Sequence, residues 1–155
     1  MSLRVQEQTI SRLRIVIQTI PKHEQVYANV LSLLLFLREW NTNIYEDTIE
    51  GKIDLVQIIP QFEALPRIKE VSRNFINIGM IEAYFLLFLG ELDMHHLIQS
   101  RIEAYRRLDK SVTTTEVEKA QQVLNTYDSC SNDNFVHIGF RETVKRIAIT
   151  NNFVS

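Results

Sequence analysis

His95 and His96 adjoin each other in "LDMHHLIQS", and a histidine pair is the first place to look for a metal ion. Neighbours on a helix point about 100° apart, so these two cannot share one ion as histidines four apart do. No H-E-x-x-H or C-x-x-C accompanies them, and they are expected at an exposed helix start next to Asp93. His23 and His137 are isolated. Cys130 is the single thiol, so an internal disulfide is excluded and a reducing, cytoplasmic setting is expected. As a nucleophile it would need a histidine base, His137 being nearest, and no further signature supports that chemistry. No metal site and no catalytic residue is predicted.

A phosphate-binding loop needs glycines whose bare backbone surrounds the phosphates, then Lys and a hydroxyl, in the order G-x-x-x-x-G-K-[ST]. The only Gly-Lys pair, Gly51-Lys52, is followed by Ile53 and lacks the earlier glycine. The chain by itself is therefore expected not to be an enzyme and to hold no cofactor.

Glu82, set in "MIEAYF" at the edge of a strongly apolar run, is a carboxylate whose environment matters. Burial would raise its pKa, while solvent or an arginine would keep it ionised. Arg101, Arg106, Arg107 and Lys110 form the clearest positive feature, a candidate basic patch that Glu103 and Asp109 dilute. A formal charge of −2 gives no overall attraction to nucleic acid or anionic lipid.

The elements that must position these residues are helices. At 155 residues, with 45% apolar and 23% charged side chains, the chain suits one folded domain over 1–155. Ile10, Leu13, Val16, Ile17 and Ile20 recur at steps of three and four, with Arg4, Glu7, Arg12, Arg14 and Gln18 on the intervening faces, which predicts an amphipathic helix ending at Pro21. A second helix, about Glu24 to Trp40, is apolar nearly all round. "NTN" at 41–43 caps a short third, which Gly51 stops.

Asp54 starts another short helix, and Pro66 suits the first position of a long one reaching Leu89, with Gly79 as a weak point or kink. Asp93 is expected to cap the next helix, which carries Leu97, Ile98, Ile102, Tyr105 and Leu108. Thr115 and Glu118 suggest a capping box for the following one. "SCSNDN" at 129–134 reads as loop, "NFVHIGF" at 134–140 as a brief extended piece, and Phe140 to Ile149 as a last helix. Tyr84, Phe85 and Phe88 are expected in the core. The predicted fold is all-α, an irregular multi-helix bundle of about six to eight helices. The apolar runs "VLSLLLFL" and "AYFLLFLG" fall far short of the ~20 residues of a transmembrane helix, and Met1 to Arg4 lack the pattern of a secretory signal, so export is not expected.

The first third of the chain carries a further pattern: Leu3-Arg4 with Glu7-Gln8, the Thr-x-Pro of Thr19 to Pro21, a Leu-rich helix ending "LLLFLREWN", and the "IYE" of residues 44–46. This stretch resembles the region that follows the ATPase core in bacterial KAP family P-loop NTPases, whose founding bacterial member excludes phage. Beyond Gly51 the likeness is a loose helical plan.

The resemblance implies a C-terminal helical module separated from its motor, because the ATP-binding loop, the acidic strand and the nucleotide-sensing arginine lie upstream of this stretch in the family. ATP and Mg are then expected only in that core. The charged face of the first helix, Arg4, Glu7, Gln8 and Arg12, is the expected inter-domain contact, with Arg4 the first choice for an ion pair. An exposed apolar patch is expected where the core would dock. The alternative is a free-standing helical interaction or regulatory protein, with a protein partner or a second copy of itself.

Overall fold

The computed structural model describes residues 2–22, 24, 28–65, 78–108, 111, 114–131 and 140–154. The fold is all-α. Eight helices occur among the described residues: α1 (Leu3–Thr19), α2 (Ala28–Trp40), α3 (Thr42–Ile49), α4 (Leu55–Glu63), α5 (Ile78–Glu91), α6 (His95–Arg106), α7 (Thr114–Ser131) and α8 (Phe140–Ile149). A 3-10 turn, Thr150–Asn152, continues α8. None of the described helices is long and apolar enough to cross a membrane.

Most helix ends follow local chemistry. Ile20, which precedes Pro21, is extended, and α1 stops at Thr19. Asn41 Oδ1 accepts from the Ile44 amide at 3.2 Å to start α3, and Asp54 Oδ1 accepts from Val56 at 3.0 Å to start α4. Gly51, at φ 71°, closes α3: its amide donates to the Thr48 carbonyl at 3.1 Å, and that of Lys52 reaches Asp47 at 2.8 Å.

The same closure ends α5, and it corrects the expectation for Asp93. This residue does not cap α6. It takes φ 60° and closes α5, its amide donating to Gly90 O at 3.3 Å while that of Met94 donates to Leu89 O at 3.2 Å. Aspartate tolerates the left-handed region better than most side chains do, so it can stand where glycine is usual. Two further boundaries move. Thr115 lies within the first turn of α7 rather than ahead of it, and Ser129 to Ser131 continue α7 instead of forming a loop. Nothing in "DSCS" removes an amide or forces a positive φ, so the helix runs on. The expectations for Pro66, His137 and the extended piece at 134–139 fall outside the described residues.

Contacts within the chain gather into two compact units, Met1–Lys52 with Asn134–Ser155, and Ile53–Asp133. In the first, α1 packs on α2 and α8, and α2 on α3. Val16, Leu31, Leu35, Leu37 and Ile147 form its fully buried centre. In the second, α5 packs on α4, α6 and α7. Tyr84, Phe85 and Phe88 are buried there, and the Phe85 ring meets Phe62 of α4 edge-on at 5.9 Å, a geometry worth about 0.5–1.5 kcal/mol beyond the area it buries.

Gly79, read from the sequence as a weak point, has a packing role. A Cβ placed there would lie 2.6 Å from Gln122 Cβ and 3.0 Å from the Lys119 carbonyl oxygen. Its bare backbone is what lets α5 and α7 approach so closely.

Candidate functional site

Three arrangements could carry function: a buried carboxylate in the second unit, a buried arginine in the first, and the outer face of α1.

Glu82 is wholly buried on α5. Its carboxylate accepts from Arg101 Nε, and the Tyr105 hydroxyl lies 2.7 Å from each of its two oxygens. Arg101 and Tyr105 are four apart on α6, so they share one face and reach the same group. Lys119 of α7 stands 3.9 Å from Glu82 and 3.4 Å from Glu63 of α4. The buried charge thus meets cations from two helices, the condition under which a carboxylate is tolerated in an apolar interior.

The Tyr105 pKa is pushed well up, first by burial and then by its hydrogen bond to Glu82 and that group's negative charge. Burial works against the charge on Arg101, but the hydrogen bond and charge of Glu82 prevail and its pKa is raised. A carboxylate with no exposed surface cannot meet a substrate. The cluster ties four helices together.

Arg12 is buried at 6% exposure, which corrects two readings of α1. It belongs neither to the solvent face nor to an inter-domain contact. Its Nε donates to Glu39 of α2 at 2.6 Å, one terminal nitrogen donates to Thr150 Oγ1 at 2.7 Å and Asn151 Oδ1 at 3.1 Å, and the other reaches the Val154 carbonyl at 3.4 Å. Asn151 also accepts from Arg38, whose guanidinium lies 5.6 Å from the centre of the Tyr45 ring. Burial raises the Tyr45 pKa against the opposing influence of Arg38. A planar guanidinium donates in several directions at once, and here it fastens the segment after α8 onto α1 and α2.

With Arg12 turned inward, α1 is rotated from the orientation its apolar pattern suggests. Val16 is buried and Leu13 half-buried, but Ile10 and Ile17 face outward at 50% and 53% exposure, in line with Leu3 at 70%. These three recur every seven residues and form an apolar stripe along the outside of α1. Arg4, Glu7 and Arg14 are exposed on the same helix, and Gln8 is half-buried with a polar or electrostatic contact of its own. This is the candidate site, because an apolar stripe along the outside of a helix suits packing against another surface.

No family model, curated protein or solved structure matches this chain.

The other residues singled out in the sequence are dispersed. Arg106 pairs with Asp128 at 3.3 Å and Arg107 with Glu103 at 3.2 Å, so each described member of the basic run lies against a carboxylate, and Lys110 falls outside the described residues. His95 and His96 are exposed at the start of α6, with His95 Nε2 3.8 Å from Asp93. Cys130 is half-buried on α7. Among the described residues no three His, Cys, Asp or Glu side chains are grouped to hold a metal.

Sequence reasoning identified Glu82 as a residue that meets solvent or an arginine, and the Arg-x-x-x-Tyr spacing of α6 was the available signal for its partners. It missed Glu39, Thr150 and Asn151 around Arg12. No local pattern links residues 138 apart in the chain.

Proposed function

We propose that this chain is a non-catalytic helical module of a KAP-like P-loop NTPase, coupling the nucleotide state of an ATPase core outside the chain to an effector in phage defence. The observation that carries the reading is the outer face of α1, where Leu3, Ile10 and Ile17 stand exposed within the stretch that bears the family resemblance. Covering the part of these side chains that is still exposed contributes roughly 1–2 kcal/mol each. Arg4 and Glu7 remain exposed polar residues beside that face, whereas Gln8, two positions from Ile10, lies towards the opposite side. Arg12 takes no part, since its donors are taken within the first unit. ATP and Mg would be bound by the core's own residues, and this chain contributes the lever.

The test is to sequence the source locus upstream of the Leu3 codon and to weigh the endogenous protein with an antibody raised to this chain. An open frame carrying G-x-x-x-x-G-K-[ST], and a protein several times heavier than 18.2 kDa, is the expected result. A stop codon upstream with a protein of 18.2 kDa would overturn the reading and leave a free-standing interaction module.

A further inference from the structure

We infer that the occupant of the α1 outer face is a second copy of this chain, the two α1 helices packing antiparallel about a two-fold axis near Ile10. The inference rests on the same exposed stripe as the reading above, taken as a docking surface, and does not require an ATPase core.

The spacing comes first. Leu3, Ile10 and Ile17 are seven apart, which places them at equivalent positions of a coiled-coil repeat, and half-buried Leu13 falls at the second core position between the last two. A helix that only skirts a globular core has no need of an apolar residue at every seventh outward position.

The charges then select the partner and its direction. Glu7 and Arg14 are also seven apart, on the same flank of the stripe, both exposed and neither ion-paired among the described residues. In a two-fold pair, if one residue meets another, the reciprocal contact follows by symmetry. Running the helices antiparallel sets Glu7 of each copy beside Arg14 of the other. It also sets Ile10 beside the partner's Ile10, at the axis, and Leu3 beside the partner's Ile17. Running them parallel sets Glu7 level with Glu7 and Arg14 level with Arg14, which is unfavourable. The stripe is therefore complementary to itself in one direction only.

Size sets the strength. α1 is 17 residues, about 25 Å long, so this face is smaller than the ~800 Å² per partner of a standard stable interface. The pair forms and dissociates with concentration rather than being permanent. Docking of an ATPase core and pairing of two copies would then exclude each other.

Sedimentation equilibrium of the 155-residue chain over a wide concentration range is the experiment. The mass is expected to rise from 18.2 kDa towards twice that value, less steeply in high salt, and Ile10→Glu is expected to hold it at 18.2 kDa with helicity by circular dichroism unchanged. Glu7→Arg and Arg14→Glu should each weaken pairing by about tenfold or more, since like charges then face each other. An equimolar mixture of these two variants should recover it, because opposite charges meet at both ends of the mixed pair. Simple destabilisation of α1 would not give that recovery.

A mass of 18.2 kDa at every concentration, or a dimer indifferent to both charge reversals, would overturn the inference. The two proposals fail separately. A monomer from a locus encoding an upstream P-loop removes only the self-pairing, and a charge-dependent dimer from a locus without one removes only the NTPase.

Discussion

Arg12 Nε lies 2.6 Å from Glu39 Oε1, and the two side chains keep only 7% and 12% of their surface exposed. The pair joins α1 to α2 in a nearly dry setting, so each charge depends on the other for its solvation.

Removing one partner should therefore cost far more than removing both. Arg12→Met leaves Glu39 uncompensated and is expected to destabilise the first unit by about 3–5 kcal/mol, whereas Arg12→Met with Glu39→Met should recover most of that loss. Urea denaturation of the single and double variants checks this. Hydrogen exchange of the amides in 150–154 should accelerate in both, since Thr150 and Val154 lose the Arg12 donor and Asn151 keeps only Arg38.

The carboxylate of Glu82 and the guanidinium of Arg101 should behave as one unit. Glu82→Gln and Arg101→Met are each expected to be destabilising, and a double-mutant cycle in thermal or chemical denaturation should show a coupling of about 0.5–3 kcal/mol. Additive effects would mean that the pair contributes nothing beyond its separate packing.

Stability should fall at alkaline pH. The Tyr105 pKa is raised in the folded protein, by burial first and then by Glu82, so above the ordinary tyrosine value of about 10 the unfolded chain loses its phenolic proton while the folded one keeps it. The folded state then binds more protons, and its stability decreases with rising pH. Tyr45, raised by burial, adds to the same decline. Denaturation midpoints at pH 8 and pH 11 should differ in the native sequence, and Tyr105→Phe should reduce the difference without abolishing it.

Two glycines of α5 should respond to alanine with opposite signs. Gly79→Ala drives a methyl against Gln122 and the Lys119 carbonyl and should cost about 1–3 kcal/mol. At Gly90 the nearest atom to an added Cβ is Ile98 Cδ1, at 3.5 Å, an ordinary contact. Gly90→Ala should therefore stabilise by about 0.4–1 kcal/mol through the reduced freedom of the unfolded chain. Melting temperatures of the two variants suffice.

The end of α1 before Pro21, the caps at Asn41 and Asp54 and the left-handed stop at Gly51 were all legible in the sequence. Each is a contact among residues within about five of one another, and such chemistry is written in the order of the side chains. Asp93 was misread because the same residue type suits a helix start and a left-handed stop, and the local sequence does not say which helix it serves.

By itself the sequence determined that the chain is helical, where α1 ends, where α3, α4 and α8 begin, and that Tyr84, Phe85 and Phe88 belong inside. Only the tertiary structure decided which face of α1 turns inward. Hydrophobicity favoured Ile10 and Ile17, yet Arg12 took the interior, because Glu39, Thr150, Asn151 and Val154 together supply the acceptors a buried guanidinium requires. That choice needs residues as far as 142 apart to meet, and it is what left Leu3, Ile10 and Ile17 in water.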